Sequence, residues 1–146
     1  MKRLDSCSGP WVGLSTQASL RISEKIQLSL SVGILHGTGS DLDGDFVLDG
    51  KYDSLSGDVE MARRYTLALD RYTRKPKRDF TSVLVLYDYT GRWDGEMISG
   101  TWQQRDYPPN QGTFEMWPYR EEEQRELAIE SQEDVEVRPL VSTGPG

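Results

Sequence analysis

Apolar and polar residues alternate one for one from Lys25 to Val32, placing Ile26, Leu28, Leu30 and Val32 on one face. A period of two is the signature of a half-buried β-strand. The same rhythm returns from Asp45 to Tyr52. There Phe46 and Leu48 face one way, while Asp45, Val47, Asp49 and Lys51 face the other. Val59 to Tyr65 repeats it with Val59, Met61 and Arg63 in phase, and Glu96 to Gln103 with Ile98, Gly100 and Trp102 in phase. Between these runs lie Gly33, Asp43-Gly44, Ser56-Gly57 and Asp94-Gly95, the residues that turn a hairpin because glycine accepts the positive φ that such a turn demands.

Adding the strand that opens at Gly9-Pro10-Trp11, the Gly-rich Ile34 to Gly39, the apolar Phe80 to Tyr89 and the closing Gly112 to Trp117 gives about eight strands. Eight is the number at which an up-and-down sheet closes on itself and removes its edges. The predicted fold is therefore all-β: an antiparallel eight-stranded barrel over residues 9–118. Residues 1–8 form a loose N-terminus, and 119–146 form an acidic extension, helical over Arg120 to Glu130 and then disordered. Tyr107-Pro108-Pro109-Asn110 reads as a loop. Phe80 to Tyr89 is apolar on both faces, so a second subunit or the chain's own tail is expected to cover it.

Charge refines the picture. Of 146 residues, 24 are acidic and 17 are Lys or Arg, a net charge of -7. Eight of the acids lie beyond Tyr119 against three arginines, so the barrel itself is close to neutral. An attraction of the whole molecule to nucleic acid or to an anionic membrane is not expected. Cys7 is the single cysteine, which excludes an internal disulfide and suits a reducing, cytoplasmic setting. The opening MKRLDSCSGPW lacks the apolar core of a signal peptide.

Several residues are candidates for chemistry. Trp11, Phe46, Tyr87 and Trp102 could line a ligand cavity, with His36, the only histidine, as a polar anchor; they could equally fill the interior. Asp41, Asp43, Asp45 and Asp49 cluster, but the spacing is wrong for a calcium loop, because Phe46 and Tyr52 stand where Gly and Glu are needed. Solvated turn acids explain them, and no metal or cofactor is expected. Arg71, Arg74, Lys75, Lys77 and Arg78 surround Pro76 in a connection far longer than a usual hairpin loop, a surface suited to the acidic tail or to a protein partner.

Phe46-Val-Leu-Asp-Gly-Lys-Tyr-Asp-Ser54, with Gly9-Pro10-Trp11, Ile98-x-Gly-x-Trp102 and Gly112-Thr-Phe114, resembles the calycin-like barrels, among them lipocalins and fatty-acid-binding proteins, and especially the avidin and streptavidin family. The stretch Gly39 to Phe46 also resembles uncharacterised bacterial barrel domains with the pattern Gly-x-Asp-x-x-Gly-x-Phe. The avidin resemblance implies that Trp102 forms an aromatic wall of a pocket and that Tyr52 and Ser54 lie near its mouth. Leu14-Ser15-Thr16 supplies only part of the hydrogen-bonding set that a ureido group needs, and the late aspartate of that family has no counterpart near Thr113, so the resemblance implies the barrel rather than biotin. Three functions follow: a small-ligand binding module, a filled barrel that binds a protein partner through its basic loop and acidic tail, and, last because no acid/base pair shows, an isomerase or cyclase.

Overall fold

The computed structural model describes residues 2–77 and 85–120. It contains a 3-10 turn (Leu4–Ser6) and eight strands: β1 (Gly9–Gln17), β2 (Leu20–Ser31), β3 (Ile34–Asp41), β4 (Gly44–Tyr52), β5 (Asp58–Ala68), β6 (Tyr87–Trp93), β7 (Ile98–Gln104) and β8 (Tyr107–Pro118). Each strand pairs antiparallel with the next, and β8 returns to β1 with Ser15 opposite Phe114, closing the barrel. This is the up-and-down eight-stranded architecture that the alternation predicts. Ile26, Leu28 and Leu30 are buried inside, while Lys25, Gln27 and Ser29 are exposed outside.

Four local expectations are revised. Strand β2 begins at Leu20, five residues before the clean alternation, because Leu20–Glu24 pair with Gly13–Gln17 across a tight turn. Tyr107-Pro108-Pro109-Asn110 is the first part of β8 rather than a loop. The register jumps from Gln103 opposite Gln111 to Gln104 opposite Tyr107, and that bulge takes the two prolines out of the ladder with β7. Strand β6 begins at Tyr87. The N-terminal residues are not loose: Leu4 and Cys7 are buried. The expected strand residues Phe80 to Leu84, Arg78, and the helix and disordered tail expected beyond Arg120 lie outside the described residues.

The two ends of the barrel differ. At one end the N-terminal turn is a plug. Leu4, 2% exposed, packs with Trp11, Trp93, Tyr52 and the interior aliphatic residues. Trp11 Nε1 donates to the Cys7 carbonyl at 2.8 Å, Trp93 Nε1 donates to the Lys2 carbonyl at 2.9 Å, and the Tyr52 hydroxyl donates to Asp5. The two indoles, 5.7 Å between centroids, satisfy their polar atoms on the plug's own backbone, so this end is both dry and hydrogen-bonded. Outside, β2 and β3 present Lys25, Gln27, Ser29, His36, Thr38 and Ser40. That polar wall is the inverse of the apolar band of a membrane barrel. No helix among the described residues is long and apolar enough to cross a membrane.

Candidate functional site

Toward the opposite end the inward positions turn from aliphatic to charged. Glu24 is in phase with Ile26 and Leu28 on β2, Arg63 with Val59 and Met61 on β5, and Asp41 ends β3. The strands therefore bury what the strand period dictates, whatever its charge. Arg63 is 2% exposed and Glu24 3%. Arg63 Nη2 donates to Glu24, and Nη1 donates to Asp41 Oδ2 at 3.4 Å. Ser15 donates to the other Glu24 oxygen, and Tyr65 donates to Asp41 Oδ2 at 2.6 Å. The backbone N–H of Asp43 reaches Asp41 Oδ1 at 2.8 Å.

The guanidinium is held by two aromatic rings as well as by carboxylates. Its carbon lies over both, 3.8 Å from the centroid of Phe46 and 4.6 Å from that of Tyr89, contacts that suit a planar delocalised cation. Gly39 makes room for these contacts: a Cβ there would stand 2.6 Å from the Phe46 ring and 2.6 Å from the Lys25 carbonyl. Burial raises the Asp41 carboxyl above its ordinary value, opposed by the Tyr65 hydrogen bond and the Arg63 charge. Burial also raises the Tyr65, Tyr87 and Tyr89 phenols, which are neutral hydroxyls at physiological pH.

Above this floor is a cavity of about 510 Å³, within the roughly 300–1,000 Å³ of small-ligand sites. One wall is aromatic, lined by Tyr65, Tyr87, Tyr89 and Trp102. Tyr65, Tyr87 and Trp102, from three successive strands, meet edge to face at 6.0 and 6.1 Å, Tyr89 stacks on Trp102 at 6.3 Å, and Phe46, outside the lining, meets Tyr65 at 5.6 Å. Facing them are Ser15, Thr16, Gln17 and Ile22 from β1 and β2. The rim comes from the long β5–β6 connection. Asp70 caps a turn by accepting the N–H groups of Tyr72 and Thr73, the Lys77 N–H returns to the Ala68 carbonyl, and Arg71 forks onto Asp43 at 2.7 and 3.1 Å. Two polar atoms of lining side chains, Arg63 Nε and Trp102 Nε1, are buried without a hydrogen-bond partner.

Of the residues singled out in the sequence, Tyr87 and Trp102 line the cavity and Phe46 supports the floor under Arg63. Trp11 lies at the plugged end, as does Tyr52, so neither reaches the cavity. His36 does not face the interior at all. The alternation that buries Leu35 and Gly37 turns His36 outward, where Nδ1 meets Asp49 at 2.7 Å on the exposed surface. The interior is neither wholly filled nor wholly open, since the plugged half is packed and the other half holds the cavity. Of the basic connection, the described residues Arg74, Lys75 and Lys77 are exposed and Arg71 is half-buried. Arg71 and Lys77 line the mouth, Arg74 donates to the Leu42 carbonyl, and Lys75 bonds through its backbone within the turn. The clustered acids separate, with Asp41 inside, Asp43 on Arg71 and Asp49 on His36. Among the described residues no group of three or more His, Cys, Asp or Glu could hold a metal ion.

Glu24, Tyr65 and Tyr89 are not singled out in the sequence, Ser15 enters only within Leu14-Ser15-Thr16, and Asp41, which reads there as a solvated turn acid, is buried instead. The available signal was phase: a glutamate or arginine at an inward position of an otherwise aliphatic face needs a buried partner. No protein-family model, curated protein or solved structure matches the chain, so its chemistry rests on the geometry of these residues.

Proposed function

We propose that the protein is a binding module for a small, flat, ring-bearing molecule, held in the open half of the barrel between the aromatic wall and the Ser15–Thr16 side. The carrying observation is the pair of unpartnered donors, Arg63 Nε and Trp102 Nε1. A buried donor without an acceptor costs about 1–3 kcal/mol, and because both atoms are covered in the empty barrel, a ligand acceptor recovers that cost by displacing the side chains that cover them. Trp117 Nε1 is also buried and unpartnered, but its side chain lies outside the cavity lining. The aromatic wall offers ring contacts, and the plugged end fixes how deep a ligand can go.

Native mass spectrometry of the protein isolated from its own cells tests this reading. The expected result is a retained small molecule that is absent from Ala68→Trp, a variant that fills the mouth and leaves the floor in place. A bare wild-type chain that also fails to take up aromatic compounds would overturn it. The hydrogen-bonded Asp41–Tyr65 pair in the cavity wall supports a second reading, an enzyme that exchanges a proton with the bound molecule. Incubation in deuterated water separates the two, because an enzyme would return the molecule with exchanged carbon-bound hydrogens and a binder would return it unaltered.

A further inference from the structure

A buried arginine in a ligand cavity ordinarily suggests a receptor for carboxylate or phosphate, because the guanidinium fork fits two oxygens at once. Here both Nη atoms already serve a carboxylate. Nη2 donates to Glu24 and Nη1 to Asp41, each with one of its two N–H groups, and the guanidinium carbon lies close to the Phe46 and Tyr89 rings. Nε has no partner at all. With both carboxylates ionised, the floor carries two negative charges against one positive charge, so an anion entering would add a third negative charge in a setting with little water to screen it. At the mouth Arg71 is likewise paired with Asp43.

The hydrogen-bonding capacity left on the floor has two signs. Arg63 Nε and Trp102 Nε1 need acceptors. Asp41 accepts two bonds at Oδ2 and one at Oδ1. A carboxylate has about four acceptor positions, which leaves Oδ1 free to take one donor.

Resting on the binding reading above, we infer that the ligand is an uncharged flat ring compound whose edge carries an acceptor beside an N–H donor, the pattern of a cyclic amide, and that the site discriminates against carboxylates in spite of its buried arginine. The acceptor meets Arg63 or Trp102, the donor meets Asp41, and the ring lies along Tyr87 and Trp102. Asp41 and Arg63 are then specificity-determining residues, and Glu24 acts through Arg63 by setting the charge of the floor.

Three two-ring probes of similar size separate the possibilities at neutral pH: 2-quinolone, neutral with an amide edge; quinaldate, anionic; and naphthalene, without polar atoms. Titration calorimetry on the full wild-type chain is expected to rank 2-quinolone first, by roughly tenfold or more over each of the others. Quinaldate binding as tightly or more tightly would overturn the inference in favour of an anion receptor, and equal binding of naphthalene would overturn the amide edge. If none of the three binds while the native protein retains a molecule, the ligand class is wrong and the cavity reading stands; if nothing is retained either, both fall. Glu24→Gln removes a negative charge beneath the floor and is expected to narrow the preference for 2-quinolone over quinaldate by about tenfold. The ranking of probes on the wild-type chain decides the matter even if that variant fails to fold.

Discussion

Arg63 is the residue on which the open half depends, since it pairs with two buried carboxylates and packs against two rings. Removing one member of such a cluster costs more than the cluster contributes, because the survivors stay buried and uncompensated. Arg63→Met is therefore expected to lose about 3–5 kcal/mol in urea denaturation. Adding Glu24→Gln and Asp41→Asn should restore much of that loss, whereas a purely packing role for Arg63 would leave the triple variant no better. Asp41 also gives the molecule a pH signature. Its folded carboxyl titrates above the unfolded 3.8 because burial disfavours the charged form, so the folded chain holds this proton more tightly than the unfolded chain does. The stability from this group is fully present below 3.8 and is lost as pH rises through the raised value. The melting temperature of wild type relative to Asp41→Asn should fall as pH climbs through that window. Asp53, Asp70, Asp88 and Asp94, whose values are lowered chiefly by hydrogen bonds, are common to both proteins and cancel in the difference. A flat difference across the acid range would show that Asp41 is not desolvated.

At the scale of strands, β3, β4 and β5 build the floor by contact in series: Gly39 admits the Phe46 ring, Phe46 supports the guanidinium, and Arg63 orients Asp41 and Glu24. Gly39→Ala would push a methyl group against both the ring and the Lys25 carbonyl, so about 1–3 kcal/mol of stability should be lost in thermal or urea unfolding, the usual cost of overpacking a core. Binding of 2-quinolone should weaken with it, because the ring cannot move without displacing the arginine. The alternation that makes these strands is plain in the sequence, as are the turns at Asp43-Gly44 and Asp94-Gly95, since period and turn chemistry are local properties. What was not legible depends on other strands. Pro108 and Pro109 read as a loop until the register jump on β7 gives them a place in β8. Leu4 is a lone apolar residue in a polar segment, and only a closed barrel end gives it somewhere to bury. Glu24 and Arg63 showed the inward phase in the sequence, but their charge concealed it, because the partner of each lies 39 positions away along the chain. His36 failed for the converse reason: its chemistry drew attention to it, and its phase puts it outside.

For the molecule as a whole, the division into a packed end and an open end means that stability and binding are carried by different residues of one barrel. Leu48 is 0% exposed in the aliphatic core, whereas Tyr87 is half-buried in the cavity wall, in edge contact with Tyr65 and Trp102. Leu48→Ala should lower unfolding free energy by about 2–5 kcal/mol, through lost transfer energy and the void left behind, with the dissociation constant of a bound ring compound essentially unchanged. Tyr87→Ala should have the opposite profile, with a smaller loss for the empty protein and a clear weakening of the ligand. Measuring melting with and without ligand separates the two effects. A ligand at a hundred times its dissociation constant adds about 2.7 kcal/mol to any variant that still binds it, so Leu48→Ala should recover by the same increment as wild type and Tyr87→Ala by less. If the two variants lost stability and binding in the same proportion, the barrel would behave as one cooperative packed body, and the cavity would be a defect in its core rather than a site.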